Sequence, residues 1–179
     1  IQKKEKIKDI TESPTRKLTG IWNIIVNCIA VSMSIIHLYT AAFGTFEPLI
    51  QRSIHLMFAL VLIFLLYPFN RYKKEEIGIY DIVLLVFSVL SLGWILIDHQ
   101  RIINRFVYVD PLHPLDYVFG ILLIFLILEA NRRTMGWPLV IVTLSALFYN
   151  FVGPYIPGYF SPPECTLEYF INHIYLSSE

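Results

Sequence analysis

Five long apolar runs separated by short polar breaks organise this chain: Leu18–Phe43, Ile54–Phe69 with an extension back to Leu49, Ile79–Ile97, Leu115–Leu128 continuing to Arg133, and Trp137–Phe151. A helix that crosses lipid needs roughly 20 mostly apolar residues, because the hydrocarbon layer is about 30 Å thick and each residue rises about 1.5 Å. The last two runs are short, a length that also suits buried helices of soluble proteins, but with so many other greasy segments there is no soluble core for them to join. Punctuation supports the boundaries. Pro68 and Asn70 close the second run, Pro111 and Pro114 precede the fourth, and Gly153-Pro154 follows the fifth, since proline cannot donate the N–H that continues a helix. Aromatic residues such as Trp22, Tyr67, Trp94, Tyr117 and Trp137 collect near the edges, where an amphipathic ring meets both lipid and water. The pattern predicts an all-α, polytopic membrane protein with about five transmembrane helices, a four-helix bundle plus one connecting helix.

Composition agrees. Of 179 residues, 56% are hydrophobic and 16% charged, greasier than a soluble domain, where about half and about a quarter are usual. Fourteen basic and fourteen acidic residues cancel, so net charge offers no footprint for nucleic acid. Cys28 and Cys165 are too few and too far apart for a disulfide framework or a four-ligand zinc site. Where the charges stand is more informative. Alternate loops carry eleven basic residues on one side and three on the other, which puts the N-terminus in the cytoplasm and Gly153 onward outside. The expected organisation is a basic cytoplasmic leader (1–17), a four-helix membrane scaffold (18–133), a connecting transmembrane helix (134–152) and a periplasmic segment (153–179). The fifth helix is expected to run unbroken from near Arg133 to Phe151 and to break at Gly153-Pro154. Two further stretches, Asp98–Asp110 and Thr166–Leu176, have helically spaced apolar residues and read either as helices lying on the membrane surface or as extensions of neighbouring spans.

Within the first span Asn23, Asn27, Ala30, Ser34, His37 and Ala41 recur at steps of three and four and so share one face. Small and hydrogen-bonding residues on one face of a lipid-spanning helix mark a packing seam, with a polar conduction path as the alternative. The third span offers Asp81, Ser88 and Ser91 on a comparable face. Carboxylates stand at span ends: Asp81 and Asp116 in first turns, where they favour the helix dipole, Asp98 after the third span, and Glu129 one turn before Arg132 and Arg133. The last three read as a cytoplasmic charge cluster. His37 and His55 flank one short outer loop, which admits a haem-bearing electron-transfer reading beside that of hydrogen-bonded packing residues. A lipid-face enzyme using His99, His113 and Asp116 is a further rival. No GxSxG, CxxC, HExxH or GxxxxGK motif occurs in the sequence, so neither catalytic, cofactor-binding nor metal residues are assigned.

Three segments carry a resemblance: Gln51-Arg52-Ser53-Ile54-His55-Leu56 through Phe64-Leu65-Leu66-Tyr67-Pro68, then Leu128-Glu129-Ala130-Asn131-Arg132-Arg133-Thr134-Met135-Gly136-Trp137, then Phe151-Val152-Gly153-Pro154-Tyr155-Ile156-Pro157-Gly158. In order and spacing they resemble the fused permease of tripartite ATP-independent periplasmic (TRAP) transporters of the TAXI type, over nearly all of Tyr39–Glu179. The resemblance implies a secondary active transporter, or symporter, of a bacterial or archaeal inner membrane. It would take up a small organic acid with an ion gradient, usually of sodium ions, fed by a periplasmic solute-binding protein. This chain then corresponds to the small-subunit-like scaffold that braces a large transport domain or subunit. The family's substrate and sodium sites belong to that other part, so the resemblance places none here. The Pro162-Pro163-Glu164-Cys165 stretch departs from the family's basic, glycine-containing one.

Overall fold

The structure is a computed structural model that describes residues 15–16, 18–69, 77–155 and 165–177. Most of the leader, the basic residues Arg71, Lys73 and Lys74, and the 156–164 stretch lie outside the described residues.

Five helices are long and apolar enough to cross a membrane, close to the predicted bounds: α1 (Ile21–Phe43), α2 (Pro48–Leu66), α3 (Ile79–Ile97), α5 (Pro114–Thr134) and α6 (Trp137–Val152). A short α4 (His99–Asn104) follows α3, and α7 (Leu167–Ile171) continues into a wider turn over Asn172–Leu176. Local chemistry sets the starts. Pro48 and Pro114 open α2 and α5, where a missing N–H is harmless. Asp81 and Asp116, each the third residue of its helix, accept the backbone N–H of Gly78 and His113, tying up donors that a helix N-terminus leaves free.

Helices α2, α3 and α5 form the core. Of the most apolar stretch of each helix, 33% is buried in α2 and 28% in α3 and α5, against 6% in α1 and 11% in the fifth span. Leu60 and Phe64 of α2, Leu92 and Ile95 of α3, and Leu123, Leu126 and Ala130 of α5 fill the centre. Helix α1 lies on the flank, held by a smaller cluster of Val26, Val61 and Leu65. Apolar contact between helices gains little free energy when the alternative is lipid. The hydrogen bonds and ion pairs described below therefore do most to select this arrangement.

Three expectations change, and a fourth stretch gains a partner. The fifth helix does not begin at Arg133: α5 ends at Thr134 and Gly136, at φ 86, turns the chain before Trp137. That positive φ is open to glycine and strained for other residues. Nor does the helix break at Gly153-Pro154, because Gly153–Tyr155 add a tighter turn in the same direction and lengthen the span to 19 residues. The Asp98–Asp110 helix stops at Asn104; its chain then folds back through Tyr108, at φ 66, with Val109 and Asp110 donating to the Phe106 carbonyl. Thr166–Leu176 is helical from Leu167 to Leu176, with one side packed on the bundle. Phe170, Ile171, Asn172, Tyr175 and Leu176 are buried, and the chain can sit so close to α5 because residue 120 is glycine: a Cβ there would lie 3.1 Å from two Ile171 carbons.

Candidate functional site

Ionisable side chains gather at both ends of the antiparallel α3–α5 pair. At one end, Asp81 in the first turn of α3 meets two arginines. Its Oδ1 accepts from Arg133 of α5 at 2.7 Å and its Oδ2 from Arg16 at 2.6 Å. Both arginine side chains are 1% exposed. Arg16 also donates to the Leu65 carbonyl at 2.9 Å, and its backbone N–H donates to that of Leu66 at 2.7 Å, while Arg133 donates to the Tyr67 carbonyl at 2.9 Å. Glu129, one turn before the end of α5, takes Arg133 at 2.8 Å and two nitrogens of Arg132 at 2.7 Å. The guanidiniums lie over aromatic faces, Arg133 on Phe64 and Arg132 on Phe69. These five charges join the start of α3, the end of α5, the end of α2 and the segment before α1.

The opposite end repeats the device with different geometry. Asp116, fully buried in the first turn of α5, accepts Arg101 at 2.8 and 2.9 Å and the Trp94 indole N–H at 2.9 Å. Arg101 also donates to Asp98 at 2.5 Å, and its side chain remains 33% exposed. Burial pulls the Arg101 pKa down, but its hydrogen bonds and attraction to Asp98 and Asp116 outweigh that and raise it. Arg105 donates to Asn172, and burial lowers its pKa in spite of the negative charge of Asp116. Tyr175 reaches across to donate to the Ser91 carbonyl at 2.5 Å, and burial raises its pKa above the ordinary tyrosine value. Ser91 itself donates to the Phe119 carbonyl at 2.8 Å, so the turn after α7, α3 and α5 are linked in one chain of bonds.

The charge cluster expected from the sequence, Glu129 with Arg132 and Arg133, is brought together. Sequence reasoning missed its centre: Asp81 was read as a helix-dipole residue and Arg16 as part of a leader. The one available signal was that the first-turn Asp81 and the last-turn Arg133 fall at the same end of adjacent antiparallel spans. Asp81, Ser88 and Ser91 are all buried, with Asp81 bonded to Arg133 and Ser91 to the Phe119 carbonyl, both of α5. Of the predicted packing face on α1, His37 meets His55 of α2, while Asn23, Asn27 and Ser34 are exposed among the described residues; Ser34 donates to its own Ala30 carbonyl at 3.0 Å.

His37 Nε2 and His55 Nδ1 are 2.8 Å apart and share a hydrogen bond. An iron between them needs two metal–nitrogen bonds of about 2 Å each, so these nitrogens are too close to flank one as they stand. His99 lies 3.0 Å from the Leu96 carbonyl, and His113 accepts from the Leu115 N–H at 3.3 Å. With Asp116 taken up by Arg101 and Trp94, these three residues present local structural contacts. Cys28 is exposed and Cys165 part-buried, both as free thiols. No protein-family model, curated protein or solved structure matches this chain.

Proposed function

We propose that this chain is the membrane-anchored scaffold of a TRAP-type secondary active transporter, bracing a large transport domain or subunit that takes up a small organic acid with an ion gradient, most simply of sodium ions. A periplasmic solute-binding protein would deliver the substrate, and a bacterial or archaeal inner membrane would hold the assembly. One observation carries the scaffold reading: Asp81, Asp116 and Glu129, the carboxylates of the described membrane-spanning helices, are each closed by an arginine. A carboxylate that takes a coupling ion or proton through a transport cycle must be able to release its partner. Here the partners lock α2, α3 and α5 together, which suits a part that stays fixed while another moves. The transporter identity comes from the sequence resemblance, and this reading treats the chain as non-enzymatic.

The test is uptake by proteoliposomes holding this chain with its transport partner and binding protein, supplied with a panel of labelled organic acids and an inward sodium gradient. Gradient-dependent uptake should require the chain, fall with Asp81→Asn, and persist in His99→Ala and His113→Ala. Uptake that is indifferent to the chain would sink the proposal. So would a Soret band in the purified chain that disappears in His37→Ala or His55→Ala.

A further inference from the structure

His37 lies six residues before the end of α1 and His55 seven after the start of α2, so at about 1.5 Å per residue both stand about 10 Å inside their helix ends. Their rings meet there, Nε2 to Nδ1 at 2.8 Å with centroids 5.0 Å apart. Ionisable groups at such depth are costly and mark functional positions in membrane helices. Among the described residues, this bond and one from Gln51 Nε2 to Thr40 Oγ1 at 3.4 Å join the C-terminal half of α1 to α2. The N-terminal half is held differently. Val26 packs with Val61 and Leu65, and Arg16, just before the helix, is bonded to Asp81 and to the Leu65 carbonyl.

We propose that the His37–His55 contact is an acid-released latch, closing the C-terminal half of α1 onto α2 until both rings are protonated. Histidine is the side chain that changes charge between about pH 5 and about pH 8. With both rings neutral, one N–H donates to the other's bare nitrogen. One added proton leaves that bond in place and makes it charge-assisted; a second removes the last acceptor and sets two positive charges in contact. The surroundings do not offset them. Helix α1 has no Asp, Glu, Lys or Arg, its other titratable groups being Cys28 and Tyr39. Helix α2 adds a positive charge, Arg52, one turn before His55, and its capping Glu47 stands about two turns away. The charges of α3 and α5 lie at their ends, where Asp81, Asp116 and Glu129 are closed by arginines. Apolar contact gains α1 little over lipid, so losing the bond frees this half while Arg16 keeps the other in place. The inference rests on a contact within one chain and stands whether or not that chain serves a transporter.

Paired nitroxides on the full chain in nanodiscs test it, in a Cys28→Ser, Cys165→Ser background. Leu38→Cys on α1 with Leu90→Cys on α3 reports the latched half, and Ile24→Cys with Val83→Cys the pinned half; all four positions are exposed. Between about pH 7.5 and about pH 4.5, either side of the histidine range, the first distance should lengthen and broaden reversibly while the second stays fixed. Glutamine at either position can still bond the remaining histidine but takes no proton, so His55→Gln and His37→Gln should each keep the first distance short at both pH values. The fixed second distance would verify that these variants fold. An unchanged first distance in the native pair, equal movement of both pairs, or a pH response that survives both glutamine variants would each overturn the proposal.

Discussion

At the Asp81 end, two guanidiniums at 1% exposure close on one carboxylate; at the Asp116 end, one guanidinium at 33% exposure is shared by two carboxylates. Both begin with an aspartate at the third residue of a helix, capping the turn before it. They differ in where the arginines come from. Arg101 lies within 15 residues of Asp116, whereas Arg133 and Arg16 come from 52 and 65 residues away to Asp81. The first contact joins neighbouring elements. The second fastens four segments whose remaining contacts are mostly apolar, and apolar surface in lipid discriminates poorly between arrangements.

Burial makes the two ends unequal in what they lose when broken. Replacing a buried ion pair by apolar groups can be harmless, but removing one partner strands the other's charge. Asp81→Asn should therefore be the most damaging single change, costing about 3–5 kcal/mol and lowering Tm and the yield of monodisperse protein in nanodiscs. Asp116→Asn should cost less, about 1–3 kcal/mol, because Arg101 keeps Asp98 and contact with water; equal losses at the two ends would remove the distinction. Gly120→Leu probes the covered end from another direction. Its side chain must displace Ile171, already 3.1 Å from where a Cβ would stand, at an expected cost of about 1–3 kcal/mol. Faster proteolysis within Thr166–Leu176 should accompany it, with the Asp81 end unaffected.

Tyr175→Phe should have the smallest effect, about 0.5–1.5 kcal/mol for one hydrogen bond, and its pH dependence sharpens the comparison. Burial raises the Tyr175 pKa, so the folded chain holds the hydroxyl proton more tightly than the unfolded one. That stability is complete below the unfolded tyrosine value of about 10 and drains away as pH rises toward the folded value. Between about pH 9 and about pH 11, roughly one unit either side of that value, the native chain should lose Tm faster than Tyr175→Phe. Parallel slopes would show that burial does not hold the Tyr175 proton in the folded chain.

Much of the fold was legible because spans are a local property. Whether 20 or so consecutive residues prefer lipid depends on their own side chains, and the predicted ends of Ile79–Ile97 coincide with α3 while those of the others lie within a few residues. The turn at Gly136 was harder to read, since glycine permits a positive φ without requiring it. The Glu129, Arg132 and Arg133 cluster was visible because its members lie within one turn of helix.

What the sequence determined by itself was therefore the number and bounds of the membrane helices and those ion pairs that a single helix brings within reach. Tertiary structure alone decided that Asp81 is the centre of a buried cluster, that Arg105 and Tyr175 turn inward, and that Ser88 and Ser91 of α3 are covered while Asn23, Asn27 and Ser34 of α1 are exposed among the described residues. The physical reason is that apolar helix faces in lipid are nearly interchangeable, so sequence periodicity shows that a face exists and not which helix it meets. Long-range partners become fixed when two helix ends reach the same depth, and a carboxylate must then close on whichever guanidinium the packing delivers.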